Sequence, residues 1–298
     1  MHGVLPVFQT PYLDDESIDF DTLAREVDWL FEAGADGIVM AMVSETLRLA
    51  DDERLALAQA ACRLGRDRGS VVISVGAECT RLAVRNARAA EDAGADAVMA
   101  IPPVATAASD GELLRYFEQI VSSIGIPLIV QDASGYVGRP LPLELLARLE
   151  REFAPRLLFK PEATPIGPRL SALLEATGGR AKVFEGTGGI ALVDSYCRGI
   201  VGTMPGADLI HVLVALWQAL ESGDQARVDA ISPPLCAMIS LQHSLDAFLA
   251  IEKYLLVKQG IFTSAHVRGP VGYVMDEPTR VEVDRLYELL NRIVKSEG

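Results

Sequence analysis

The sequence predicts an α/β protein built as a closed (β/α)8 TIM barrel with a C-terminal helical extension. Three observations carry that expectation. Eight short apolar runs alternate with helical stretches over roughly the first 220 residues. Most of the runs are continuously apolar, which marks strands buried on both faces of a parallel sheet. No G-x-G-x-x-G follows the first run, which disfavours an open, dinucleotide-binding sheet.

Gly3-Val4-Leu5-Pro6-Val7-Phe8 reads as the first strand, followed by the acidic turn Asp14-Asp15-Glu16 and an amphipathic helix from Asp19 to Glu32. Ala33-Gly34-Ala35-Asp36-Gly37 ends that helix before the strand Ile38–Ala41. The unit returns almost unchanged: Ala93-Gly94-Ala95-Asp96 precedes the strand Ala97–Ile101. The remaining strands are expected at Val71–Val75, Pro127–Gln131, Leu157–Lys160, Lys182–Glu185 and Gly199–Thr203. Helices are expected over Asp52–Arg66, Thr80–Asp92, Gly111–Ile124, Pro142–Glu152, Pro165–Thr177 and Ile190–Arg198. From Ala207 onward only helices are expected: His211–Glu221, Gln225–Ser232, Leu235–Gln259 and Thr279–Val294, broken at Ser232-Pro233-Pro234 and Gly269-Pro270. The barrel is assigned residues 1–222, and residues 223–298 form a helical appendage packed on it.

At 298 residues and 50% hydrophobic, the chain can bury a full-sized core. A net charge of -14 with no basic stripe argues against a nucleic-acid partner. Cys62, Cys79, Cys197 and Cys236 form no CxxC pair, and the four histidines show no ligand spacing, so neither a metal site nor a disulfide framework is expected. No apolar run reaches the length of a membrane span and the N-terminus has no signal-peptide profile, so a cytoplasmic protein without a membrane partner is expected.

The chemistry is sought at the carboxyl ends of the strands, where such barrels carry it. Leu157-Leu158-Phe159-Lys160-Pro161-Glu162 is distinctive there. The chain has five lysines against twenty-two arginines, and Lys160 alone ends a core-like strand. Burying an ammonium favours its neutral form, and a neutral amine at an apolar barrel mouth can attack a ketone. The alternative is a lysine that snorkels into water. Side chains alternate along a strand, so Lys160 and Glu162 share a face if the strand stays regular past Pro161. Gln131, Asp132, Glu45 and Glu162 are candidates for proton transfer; Val43, Ser44, Thr46, Glu185, Gly186 and Thr203 are candidates for binding substrate. Gly186-Thr187-Gly188-Gly189 could cradle a phosphate, although a glycine-rich turn needs no ligand. Asp14-Asp15-Glu16 and Asp51-Asp52-Glu53 read as acids at helix starts, not metal ligands.

These residues resemble the class I, Schiff-base aldolase barrels of the dihydrodipicolinate synthase and N-acetylneuraminate lyase superfamily. The likeness rests on Gly3-Val4-Leu5-Pro6-Val7 with Thr10-Pro11, Ser44-Glu45-Thr46 with Asp52-Glu53-Arg54, Ala93-Gly94-Ala95-Asp96, Ile101-Pro102-Pro103 and Phe159-Lys160-Pro161-Glu162. It implies that Lys160 forms a covalent imine with a small 2-oxo acid, with no other cofactor, in a homo-oligomer (tetramer or dimer). It also implies that the backbone amides of Val43 and Ser44 receive the substrate carboxylate. The departures matter as much. Ala41-Met42-Val43-Ser44 lacks the relay threonines, Gln131 replaces a tyrosine, Val104 replaces the tyrosine lent by a neighbouring subunit, and Tyr136 replaces a carboxylate-binding arginine. Gly188 and Gly189 stand where sialic-acid lyases carry acids. The pattern is nearest the branch that dehydrates 2-keto-3-deoxy sugar acids of the L-2-keto-3-deoxyarabonate type, which shares Val130-Gln131-Asp132-Ala133. The implied activity is a carbon–oxygen or carbon–carbon lyase, dehydratase or aldolase, but not dihydrodipicolinate synthesis. Two alternatives stay open: a member that binds a 2-oxo acid without turnover, and a phosphate-binding barrel without a Schiff base.

Overall fold

In the computed structural model, which describes residues 1–135 and 138–296, the apolar runs become eight parallel strands. They are β1 (Gly3–Val4), β2 (Gly37–Met40), β3 (Ser70–Ser74), β4 (Ala97–Ala100), β5 (Leu128–Asp132), β6 (Leu157–Pro161), β7 (Phe184–Glu185) and β8 (Gly202–Thr203). Ladders join β2-β3-β4-β5-β6 and β1-β8-β7. Val7 bridges both Val39 and Gly206, and Phe159 bridges Val183, which closes the two sheets into one ring. β1, β7 and β8 are each shorter than the sequence suggests by two residues or more. Pro6 has no N–H to give the first ladder, and Gly199 belongs to the turn that ends a helix, at φ 96°.

Alternation along the strands fixes what faces the axis. Leu5, Val7, Val39, Val72, Met99, Ile129, Leu158 and Phe184 fill the barrel interior. Their neighbours Ile38, Met40, Val71, Ile73, Val98, Leu128, Val130, Leu157 and Phe159 pack outward against helices. The first helix, α1 (Phe20–Glu32), is capped by Asp19, whose carboxylate accepts from the Thr22 amide. The helices α2 (Asp51–Gly65), α3 (Thr80–Ala93), α4 (Asp110–Ser122), α5 (Leu143–Phe153), α6 (Ile166–Ala176) and α7 (Leu192–Cys197) follow.

The final helices are α8 (Ile210–Ser222), α9 (Gln225–Ser240), α10 (Leu245–Lys258) and α11 (Glu277–Lys295). The expected break at Ser232-Pro233-Pro234 does not occur: α9 runs through both prolines. They remove two helical donors, but Ile231, Leu235, Met238 and Ile239 stay buried on one side and keep the helix seated. The chain turns instead at 241–244, where Ser244 caps α10 by accepting from the Ala247 amide. Gly269-Pro270 lies in the non-helical stretch between α10 and α11. Among the described residues no single helix is long and apolar enough to cross a membrane.

A buried polar chain ties α10 to the barrel. The Gln9 amide donates to Glu26 on α1 (2.9 Å), and the Gln9 side chain donates to Glu252 on α10. Glu252 shares a hydrogen bond with Asp208, which Gln242 also approaches at 3.5 Å. Burial pushes Glu26 up to about 8 and Asp208 up to about 6. It raises Glu252 too, helped by the neighbouring Asp208. Each of these groups holds its proton more tightly folded than unfolded. Their contribution is therefore complete below the usual carboxylate range and is lost as pH climbs through 6 and toward 8. Denaturant midpoints should show wild type losing stability against Glu26→Gln between pH 5 and pH 8, with a slope approaching about 1.4 kcal/mol per pH unit. Parallel profiles for the two proteins would refute this assignment of Glu26.

Candidate active site

The inward parity of Ile129 and Leu158 passes to Gln131 and Lys160, which are partners in the β5–β6 register. The ladder continues past Pro161, because the Glu162 amide donates to the Asp132 carbonyl at 2.9 Å. Glu162 therefore points the same way as Lys160, as the alternation predicts. The Lys160 Nζ lies 2.7 Å from Glu162 Oε1, and Gln131 Nε2 donates to Glu162 Oε2 at 2.7 Å. All three side chains are buried, Lys160 with only 3% of its surface exposed. Burial raises the Glu162 carboxyl above its ordinary range, and Glu185 pushes the same way. The Lys160 charge and the bonds from Lys160 and Gln131 oppose that rise.

These groups line a cavity of ≈ 30 Å³, room for a water molecule or two. Met42, Val43, Pro205, Leu245 and Phe248 contribute its apolar wall. Gly186 is required by close approach: a Cβ there would sit 2.7 Å from Lys160 Nζ and 3.0 Å from Glu162 Cγ. A larger hollow of ≈ 340 Å³ between α2 and α3, lined in part by Arg54 and Leu55, includes none of these groups. Lys160, Glu162 and Gln131 thus gather in the smaller cavity.

The other candidates are placed elsewhere. Asp132 has the opposite parity from Gln131; its carboxylate accepts from the Ser134 amide (3.1 Å) and the Leu141 amide (2.9 Å), and so shapes the loop after β5. Glu185 and Thr203 bond each other at 2.8 Å beside the site, and Glu185 also holds Thr187. Ser44 is spent on structure. Its hydroxyl donates to the Phe8 carbonyl at 2.5 Å, and its amide donates to Ala41 at 3.0 Å within a 3-10 turn over Met42–Ser44. The expectation that the Ser44 amide receives a carboxylate is thus corrected, while Val43 does line the cavity. Thr46 is buried but is not part of that lining. Tyr136 lies outside the described residues.

Glu45 ends the same turn in the left-handed region, φ 56°. Its carboxylate pairs with Lys253 and accepts from the Arg268 amide at 3.2 Å, so it clamps α10 to the barrel and does not face Lys160. Lys253 is a second fully buried lysine, which sequence reasoning passed over. Its Nζ also donates to the carbonyls of Thr10 (2.8 Å) and His266 (2.7 Å), and it stands 4.5 Å from the Tyr12 ring centre. With three acceptors around it, that amine has its hydrogens committed. The signal was present: a lysine inside the nearly continuous apolar helix Ala247–Val257. The α10 residues Leu245 and Phe248, also unforeseen, complete the cavity wall. In the turn after β7, Gly188 and Gly189 adopt φ 71° and 112°, and a Cβ on either would press on α8, α9 or α10 side chains. Packing thus accounts for those two glycines without a phosphate.

A parallel barrel with a buried lysine and carboxylate at its mouth defines a class of (β/α)8 enzymes that work from strand ends. The chain belongs to the dihydrodipicolinate synthetase family, whose sequence profile it matches over residues 1–288. It is accordingly a lyase of the class I aldolase type. It is 27% identical to an L-2-keto-3-deoxyarabonate dehydratase of Azospirillum brasilense, over 98% of this chain and 95% of that one. A dihydrodipicolinate synthase structure from Rhodopseudomonas palustris superposes with a TM-score of 0.88 at 26% identity, covering 97% of each chain. An Escherichia coli prophage protein of the same family, solved with pyruvate, gives 0.88 at 24% identity over 98% of this chain and 99% of that one, which speaks for the fold alone.

Removing one member of a buried ion pair leaves the other charge uncompensated. Lys253→Met should therefore cost about 3–5 kcal/mol in denaturant unfolding, and Glu45→Gln with Lys253→Met together should cost less than the lysine change alone. A double variant as unstable as the sum of the two singles would show that the pair is not coupled.

Proposed function

We propose that this lyase is a Schiff-base dehydratase of a 2-keto-3-deoxy sugar acid, with Lys160 as nucleophile and Glu162 as proton carrier. The observation that carries this reading is the buried Lys160–Glu162 contact of 2.7 Å inside the barrel mouth. Transfer of one proton across that hydrogen bond leaves a neutral amine beside a neutral acid, an arrangement that a low-dielectric cavity favours. The amine attacks the C2 ketone, and the carbinolamine loses water to give an iminium. That electron sink acidifies C3, and the Glu162 carboxylate takes the C3 proton to form an enamine. The enamine expels the C4 hydroxyl, which leaves as water with the proton returned by Glu162. The conjugated imine that remains loses a proton from C5 and gains one at C3, which turns the 3-ene into the enol of a semialdehyde. Hydrolysis then consumes the water released at imine formation and frees Lys160, and the enol tautomerises to the aldehyde. The net change is loss of one water.

Gln131 orients Glu162 through its 2.7 Å bond and cannot itself carry a proton at neutral pH. The substrate carboxylate is assigned to the turn at Val43, the candidate from that turn that lines the cavity. The choice of dehydration over aldol cleavage rests on the likeness to the arabonate dehydratase and on Gln131 in place of a tyrosine. Dihydrodipicolinate synthesis is set aside on the same substitution.

Borohydride reduction in the presence of pyruvate should add the mass of a reduced pyruvyl group to the Lys160 peptide, and Lys160→Ala should take up none. An unmodified wild-type peptide would end the proposal. With a five-carbon 2-keto-3-deoxy acid, wild type should yield a semialdehyde without free pyruvate, whereas pyruvate release would mean aldol cleavage. Glu162→Gln should still be trapped by borohydride while turnover falls roughly 10²–10⁴-fold.

A further inference from the structure

The wall of the Lys160 cavity is not made by the barrel alone. Leu245 and Phe248 reach it from the first turn of α10, more than a strand's length of sequence beyond the last barrel helix. Phe248 is 4% exposed, and its Cζ stands 3.2 Å from the point where a Cβ on Gly188 would be. Ile239 Cγ2 reaches the same point at 3.2 Å. The ring is thus seated on the bare Gly188 backbone, with α9 beside it.

Among the described residues, three polar side chains line the cavity: Gln131, Lys160 and Glu162. On the dehydratase reading all three are occupied, Lys160 at C2, Glu162 at C3 and C4, and Gln131 on Glu162. Among the described residues, no side chain of the lining is left to bond hydroxyls further along a sugar chain. The space is ≈ 30 Å³, so a longer substrate is admitted only as its wall, which includes the Phe248 ring, yields. A hydroxyl pressed against that ring and Leu245 gives up water and gains no partner, which disfavours it.

The geometry points to Phe248, with Leu245 beside it, as the specificity-determining residue that holds the substrate to a short 2-oxo acid of five carbons and turns away longer polyhydroxylated chains. This rests on imine formation at Lys160, so the test separates the two. Five- and six-carbon 2-keto-3-deoxy acids are compared by the concentration at which each half-protects Lys160 from labelling by pyruvate and borohydride. Wild type should favour the five-carbon acid by roughly tenfold or more, the scale of one misfit carbon in an apolar pocket. Phe248→Ala should bring the two acids to within about threefold, and Phe248→Leu, which keeps an apolar side chain on Gly188, should move the ratio part of the way. Should the alanine variant not fold, the leucine variant carries the comparison. A ratio unchanged in a folded variant whose lysine is still labelled overturns the role of Phe248 and leaves the dehydratase reading standing. Failure of pyruvate to label wild type at all overturns both.

Discussion

An ammonium and a carboxylate held 2.7 Å apart, both almost wholly out of water, set the terms for the rest of the barrel mouth. Two charges in so apolar a setting are tolerable only when each cancels the other and the remaining lone pairs are bonded. Gln131 supplies that bond to the second Glu162 oxygen. Gly186 supplies the space, since any side chain there would displace the lysine. The β6 ladder supplies the direction by staying regular through Pro161 to the Glu162 amide. A proline at that point removes no needed donor, because the next ladder bond is made by Glu162.

The chain contains two buried lysines, and their surroundings differ in a way that separates chemistry from structure. Lys253 meets Glu45 and two backbone carbonyls, so its three hydrogens are all bonded, against the burial that lowers its pKa. Among the described residues Lys160 has a single hydrogen-bond partner, Glu162, which can also take its proton. The first arrangement locks α10 over the barrel; the second leaves an amine that can react once that proton has moved. The acid chain Glu26–Gln9–Glu252–Asp208 adds to the lock from below the same helix, so the wall that α10 contributes through Leu245 and Phe248 is held at several points.

Much of this was legible in the residues, and the failures have physical causes. The barrel followed from runs buried on both faces, and the shared face of Lys160 and Glu162 followed from strand alternation. The same alternation, counted from Ile129, would have sent Asp132 away from Gln131. It was missed because a wholly apolar strand does not announce which of its faces is the interior. Ser44 and Glu45 defeat any parity argument, since a 3-10 turn intervenes and a left-handed residue redirects the chain toward Lys253. Prolines at 233 and 234 suggested a break that burial of Ile231, Leu235 and Met238 overrides. Phe248 reaches the cavity, and Lys253 its Glu45 partner, only through the docking of α10, a long-range event that local pattern does not encode.

The scarcity of titratable groups in the cavity constrains the chemistry more tightly than the family likeness does. Besides the lysine, Glu162 is the one lining side chain among the described residues able to gain and lose a proton near neutrality, since Gln131 cannot and Glu185 is turned aside onto Thr203. On the proposed dehydratase reading, a single carboxyl would both remove the C3 proton and protonate the departing C4 hydroxyl. Those two atoms must then lie on the same face of the bound chain. Elimination in this site would therefore be syn, with Gln131 holding the carboxyl between the two positions.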